Sequence, residues 1–213
     1  MATLTLEGIR LSVGGAPLIP HLDLAIAPGT VATVMGPSGS GKSSLLAMVA
    51  GLLPTAFTAG GHVRLGPEDL TPLPAHRRRL GLLYQDDLLF PHLSIADNLA
   101  FGLEPAIRGA ARKRAVEEAL IAAELEGLGG RDLATLSGGQ RARAALFRTL
   151  LARPRALLLD EPFSRLDQDL RIRMRRLVFD QAAAHGLPVL LVSHDPADAE
   201  AAAGPVVDLQ ALR

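Results

Sequence analysis

Cysteine and tryptophan are absent from the 213 residues, and Phe, Tyr and Trp together make up only 3%. Without cysteine there is no disulfide framework, thiolate metal site or cysteine nucleophile, a usage that fits a reducing compartment. A charge excess is also missing. The 22 Lys+Arg balance the 22 Asp+Glu, so the basic stripe of a general nucleic-acid binder is lacking and no nucleic-acid partner is expected. The first fifteen residues carry no positive stretch followed by an apolar one, so no secretory signal is read. The longest uncharged stretch, Ser43–Gly61, is broken by Pro54 and by Gly60-Gly61. What remains is an apolar helix of about ten residues, short for a membrane span and right for a core helix. The expectation is a soluble chain that reaches a membrane only by docking on a partner. Lysine is scarce as well: Lys42 and Lys113 are the only two, and every other basic residue among the 22 is arginine.

What is present reads as an α/β domain. Thr3–Leu6, Ile9–Val13 and Leu22–Ala27 alternate as half-buried strands. Thr30–Met35, Leu80–Tyr84, Ala156–Asp160 and Pro188–Ser193 are continuous apolar runs of the kind that parallel sheets bury on both faces. Helical patterns over Ser43–Ala50, Ser94–Gly102, Arg108–Leu125, Ser137–Ala152 and Ala197–Ala203 separate them. Ser94 is the expected N-cap of its helix, with Asp97 three residues on, close to a capping box. Val116, Leu120 and Ala123 share one face of theirs. The fold class expected is therefore α/β with a mainly parallel sheet, an N-terminal antiparallel part and a helical lobe inserted over about residues 86–151, and the Gly36–Ser43 glycine-rich loop between strand and helix makes its core that of a phosphate-binding-loop NTPase. The whole of 1–213 is read as one domain.

Three motifs carry the chemistry. Gly36-Pro37-Ser38-Gly39-Ser40-Gly41-Lys42-Ser43, followed by Ser44, lies directly after a buried strand and before a helix, the context that a phosphate-binding P-loop requires. Its glycines let backbone N–H groups converge on phosphate oxygens, and the helix start adds a positive dipole end. Lys42 is expected on the β- and γ-phosphates and the Ser43 hydroxyl on Mg²⁺. A chain that otherwise uses arginine places lysine here, where a compact ammonium fits and a planar fork does not. The run Ala156-Leu157-Leu158-Leu159-Asp160-Glu161 ends a strand with two carboxylates. Asp160 is read as a Mg²⁺ partner through water, and Glu161 as the residue that polarises an attacking water. Leu136-Ser137-Gly138-Gly139-Gln140 starts a helix with small residues, a second anion site. One chain rarely needs two such sites for one nucleotide, so this one is expected to serve a nucleotide held by another subunit.

Together, and in this order, the P-loop, Gln85, the Leu136–Gln140 segment, the acidic strand and His194 resemble the ATP-binding-cassette (ABC) ATPases over nearly the whole chain. The resemblance implies two cassettes paired head to tail, with ATP and Mg²⁺ between the P-loop of one and Ser137, Gly138, Gly139 and Gln140 of the other. It implies that Gln85 touches Mg²⁺ and water and senses a membrane permease. It makes Ser164–Asp167 the segment that crosses the dimer seam, and His194 the switch histidine near the γ-phosphate. Gln85–Ser94, with apolar Leu88, Leu89 and Phe90, looks like the importer branch, in which an apolar groove receives a permease helix. The structural alternative packs these side chains inside the lobe. The Asp160–Asp167 run resembles thiamine-type ATPases and a related uncharacterised proteobacterial subunit.

The implied activity is ATP hydrolysis driving import of a small solute from the cytoplasmic face of the inner membrane, with a periplasmic solute-binding protein as an indirect partner. The alternatives are a lipid or lipoprotein exporter ATPase and a nucleotide-dependent binding module with little hydrolysis. Three departures from the family pattern stand out. Val13 falls at or near the place of an aromatic that stacks on adenine. Arg165 occupies a position that is usually small. Only 19 residues follow His194, so no C-terminal regulatory domain is expected. His21, His62, His76, His92 and His185 show no ligand spacing, and Arg77-Arg78-Arg79 is read as a solvated basic run at the start of a strand.

Overall fold

The computed structural model describes residues 2–212. The chain divides into two compact units. The first takes the chain through Leu82, Arg155–Glu161 and everything from Arg175 onward; the second takes Leu83–Pro154 and Pro162–Met174. Among the described residues no helix is long and apolar enough to cross a membrane.

The first unit begins with β1 (Leu4–Val13) and β2 (Ala16–Ile26), which pair antiparallel, and β4 (Phe57–Leu65) and β5 (Glu68–Asp69) complete a sheet of order β2-β1-β4-β5. The two strands expected over Thr3–Leu6 and Ile9–Val13 are one strand with a register shift between Leu6 and Ile9. The cause is legible in the burial. Leu4 and Leu6 face the core, and so do Ile9 and Leu11, so the inward parity switches from even to odd. An extra residue in the strand is the standard way to make that switch, and Gly8 takes it with a left-handed φ of 58°.

The second sheet has the order β6-β7-β8-β3-β9, built from β3 (Val31–Met35), β6 (Gly81–Leu83), β7 (Leu157–Asp160), β8 (Val189–Ser193) and β9 (Val206–Asp208). β8 pairs parallel with both β3 and β7, and β9 pairs parallel with β3. Every residue of β8 and the three leucines of β7 are buried, as continuous apolar runs between two covered faces require. The register matters for function. Met35 is level with Ser193, and Asp160 with Val192, so Gly36, His194 and Glu161 all leave the sheet at the same carboxyl edge, where open α/β sheets bind ligands. Helix α1 (Lys42–Ala50) buries Leu45, Leu46, Met48 and Val49 in the core that also holds Ile26, Leu158 and Leu190.

α2 (Ala75–Arg78) corrects the reading of the arginine run. Arg78 is not solvated: it is 6% exposed and donates to the carbonyls of Leu73, Thr71, Met48 and Val49 at 2.8–2.9 Å. The last two belong to the final turn of α1, where Gly51 N also donates to Met48 O at 3.0 Å, so the guanidinium and the cap residue together close that helix end.

The second unit is mostly helical: α3 (Ile95–Gly102), α4 (Gly109–Ala122) and α5 (Gly138–Leu151). Ser94 caps α3 by accepting from Asp97 N at 3.1 Å, while its hydroxyl donates to the Asp97 carboxylate at 2.6 Å. Val116, Leu120 and Ala123 are all buried, as their spacing predicts. α3 and α5 pack closely enough that a Cβ on Gly102 would overlap the Arg148 carbonyl. α6 (Gln168–Ala184) and α7 (Pro196–Ala202) complete the fold. Neither α6 nor the strands β4, β5 and β9 were expected from sequence.

Candidate functional site

The loop from Gly36 to Gly41 is shaped by steric demands that only glycine meets. A Cβ on Gly36 would sit 2.7 Å from Ser40 Oγ, so the loop folds back on itself where any side chain would push it open. Gly41 precedes α1 with φ 100°, against Leu18 and Ile19 of β2 at 3.5–3.6 Å from where its Cβ would be. Ser40 Oγ, inside this loop, is buried and has no hydrogen-bond partner among the described residues. A buried polar atom of that kind calls for an outside partner.

Lys42, the first residue of α1, is 6% exposed. Its Nζ donates to Gly36 O at 2.7 Å and Pro37 O at 3.0 Å, and lies 3.7 Å from Glu161 Oε1. The ammonium is thereby held over the loop by its own backbone. Ser43 Oγ donates to Asp160 Oδ1 at 3.1 Å. Burial raises the Asp160 carboxyl above the usual carboxylate range, and the Glu161 charge adds to the rise; the Ser43 hydrogen bond and the Lys42 charge oppose it. A hydroxyl beside a carboxylate that burial disfavours is a hard-oxygen donor pair suited to Mg²⁺. Among the described residues no cluster of three or more His, Cys, Asp or Glu is arranged to hold a metal ion. A cation at Ser43 and Asp160 would therefore complete its shell from phosphate and water, as Mg²⁺ ordinarily does.

Glu161 follows β7 with a left-handed φ of 46°. A non-glycine residue in that region is strained by order 1–3 kcal/mol, and such strain gathers at functional sites. Its N–H donates to Val192 O at 3.0 Å, which ties the strained residue to β8. Its carboxylate reaches two groups, with Oε1 towards Lys42 and Oε2 at 3.2 Å from His194 Nδ1. So five of the residues singled out from sequence, Lys42, Ser43, Asp160, Glu161 and His194, come together at the carboxyl edge of the parallel sheet.

The remaining candidates lie in the second unit. Gln85 is exposed in the loop after β6. Ser137 caps α5 with a reciprocal capping box: Gln140 N donates to Ser137 Oγ at 3.3 Å, and Ser137 N donates to Gln140 Oε1 at 2.9 Å. Gly138 and Gly139 differ sharply. A Cβ on Gly139 would lie 2.6–2.7 Å from the Leu170 methyls, whereas one on Gly138 would meet nothing nearer than Arg141 Nη2 at 4.0 Å.

The Leu88–Phe90 run divides between its two readings. Leu89 is buried, and Leu88 is 56% exposed with φ 46°. Phe90 stacks tilted against Phe101 at 4.5 Å, with the Arg148 guanidinium 5.3 Å from its ring centre. Arg148 Nη1 also donates to Leu88 O at 2.9 Å, and buried Asn98 exchanges hydrogen bonds with both the N–H and the C=O of Phe90. These bonds tie the loop to α3 and α5. Arg165 forms an ion pair with Asp86, next to Gln85. Val13 ends β1, and the strand register sets Phe57 of β4 directly opposite it. Phe57 is the only Phe, Tyr or Trp in the four strands of that sheet. Sequence reasoning missed it because β4 itself went unread.

Comparison with known proteins identifies relatives over most of the chain. The family model described as ABC transporter matches residues 19–164. The chain is 43% identical over 198 residues to an uncharacterized ABC transporter ATP-binding protein, YnjD, of Escherichia coli K12, covering 93% of this chain and 91% of that one. It is 44% identical over 207 residues to the Fe(3+) ions import ATP-binding protein FbpC of Streptomyces coelicolor, covering 96% and 58%. Identity to the sulfate/thiosulfate import ATP-binding protein CysA of Caulobacter vibrioides is 41% over 204 residues, covering 92% and 59%. The chain therefore spans most of the first relative and less than three fifths of the other two. Its α/β fold and its matches agree that the chain belongs to the ABC transporter family, among whose relatives it matches proteins named as ATP-binding proteins.

Proposed function

We propose that this protein hydrolyses ATP as one of two head-to-tail copies that drive import of a small solute through a membrane permease. The observation that carries the reading is Glu161, held in a strained backbone conformation with its carboxylate spanning Lys42 and His194. In this scheme the backbone amides of Gly36–Ser44 and the Lys42 ammonium bind the phosphates. Ser43, Asp160 and Gln85 would hold Mg²⁺, whose charge offsets that of the β- and γ-phosphate oxygens. Glu161 orients and polarises the attacking water, and His194 keeps the Glu161 carboxylate aimed while it contacts the γ-phosphate side. Ser137, Gly138, Gly139 and Gln140 close over the nucleotide of the other copy. The freedom around Gly138 supports that role, since among the described residues an added Cβ there would meet nothing nearer than Arg141 Nη2 at 4.0 Å.

Exposed Leu88, on the hydrogen-bonded loop after Gln85, is the part we assign to the permease. The site of action is then the cytoplasmic face of the membrane, with a periplasmic solute-binding protein upstream. The ferric and sulfate ions named for the import relatives point to a small inorganic solute. Residues 1–213 act as one cassette, with the lobe at about 86–151 carrying Leu88 and the Ser137–Gln140 segment.

The test is Glu161→Gln. ATP binding should persist, turnover should fall by about two to four orders of magnitude as for loss of a general base, and ATP should trap a dimer on size exclusion. Wild-type turnover in this variant would refute the assignment.

A further inference from the structure

His194 has an unusual problem for a residue that must aim. Its side chain is 59% exposed, so packing around the ring cannot define its position. What defines it is a buried polar network built on both of its chain neighbours. Ser193, the last residue of β8, is 2% exposed, and its hydroxyl donates to an oxygen of Asp198, itself 3% exposed. The same hydroxyl accepts from Asp195 N at 3.0 Å. Arg175 of α6, also buried, donates from Nε to Asp198 Oδ1 at 2.5 Å and from Nη2 to Asp195 Oδ2 at 2.8 Å. Asp195 Oδ1 in turn caps α7 by accepting from Ala197 N at 3.0 Å. One guanidinium, two carboxylates and one hydroxyl thus grip residue 193 and residue 195, leaving residue 194 as the tip of a clamped turn.

The alternative account, that this network only holds α6 and α7 onto the sheet, leaves its shape unexplained. An apolar contact would hold two helices as well, because a buried ion pair adds little net stability over packed apolar groups. What a polar network adds is a single geometry, since each member must be satisfied at once. Here that geometry is imposed on the two peptide groups flanking His194.

We infer that Arg175, Asp198 and Ser193 are positioning residues for hydrolysis: they act through His194 by fixing where its ring meets Glu161. The inference rests on the role proposed above for His194. The experiment is a double-mutant cycle on ATP turnover with the full chain, comparing Ser193→Ala, His194→Ala and the two combined. Ser193→Ala should lower kcat by about tenfold to a hundredfold, the cost typical of misplacing a reacting group by an ångström. KM for Mg·ATP should stay within about threefold, since the P-loop is untouched. In the His194→Ala background the same Ser193→Ala change should cost nothing further, and Ser193→Thr, which keeps the hydroxyl, should restore most of the turnover.

If Ser193→Ala slows turnover equally in both backgrounds, or if Thr does not rescue, the network is structural and the inference fails. If Ser193→Ala has no effect while His194→Ala is slow, the inference also fails and the reading of His194 stands. If His194→Ala itself turns over normally, the proposed role of His194 is what fails, and the positioning role falls with it. Asp198→Asn, which keeps the shape but removes the charge facing Arg175, provides a second route to the same comparison. Circular dichroism establishes for each variant that the turnover compared is that of folded protein.

Discussion

Gly138 separates folding from function with opposite signs. It is the first residue of α5, a place where alanine stabilises and glycine does not. Its φ lies outside the left-handed region, and an added Cβ would have 4.0 Å of clearance from its nearest neighbour, Arg141 Nη2. Among the described residues nothing opposes Gly138→Ala. Gly-to-Ala changes at compatible positions stabilise by about 0.4–1 kcal/mol, mainly by restricting the unfolded chain. For a chain of this size, that raises the melting midpoint by roughly 1–4 °C.

If Gly138 meets a nucleotide on another copy, the added methyl stands at the helix N-terminus where phosphate oxygens must approach the amides. Loss of one such preorganised donor costs about a hundredfold in rate. The expected outcome is a more stable protein that hydrolyses ATP about a hundredfold more slowly, read by differential scanning fluorimetry and phosphate release. Gly139→Ala is the control with the opposite fold prediction. Its Cβ would press on the Leu170 methyls at 2.6–2.7 Å, and overpacking of that kind costs about 1–3 kcal/mol, or roughly 2–12 °C. A Gly138→Ala protein with a higher midpoint and undiminished hydrolysis would show that Gly138 faces only solvent, and the paired-copy reading would lose its support.

Two further substitutions probe other parts of the site. Arg78→Met should cost about 1–3 kcal/mol, because it removes the guanidinium donor to the Val49 carbonyl and leaves Met48 O with Gly51 N alone; a midpoint lowered by less than about 2 °C would show that water replaces it easily. Phe57→Ala should weaken ATP binding by about 1–3 kcal/mol, the worth of base–aromatic stacking, while GTP and ATP affinities converge. Titration of a fluorescent ATP analogue with unchanged affinity would show that the base lies away from the Val13–Phe57 pair.

Which features were legible in the sequence follows from the range over which each is determined. The P-loop, the acidic end of β7 and the cap of α5 are local. Glycine spacing, a strand's apolar run and a Ser-to-Gln box each act within a few residues, so the sequence states them directly. The meeting of Lys42, Glu161 and His194 is a long-range fact: for His194 the sequence offers it only through the family resemblance, and the parallel register of the strands is what delivers all three to one edge. The strained φ of Glu161 was not readable. A left-handed glutamate looks like any other glutamate until the tie of its N–H to Val192 O is known.

Arg78 marks the limit of composition-based reasoning about charge. Three consecutive arginines in a balanced chain read as solvated, because an isolated buried guanidinium is costly. That cost depends on what surrounds the side chain, and here the surroundings are four carbonyls, two of them at the helix end that most needs a cation. Burial lowers the Arg78 pKa from its usual value, but an arginine so far above neutrality keeps its charge. The same logic governs Arg175, buried against Asp195 and Asp198. In both places a helix-rich chain that favours arginine over lysine uses the fork to satisfy several acceptors at once. The one lysine it keeps in the site is where a single point of charge must sit over a loop of backbone.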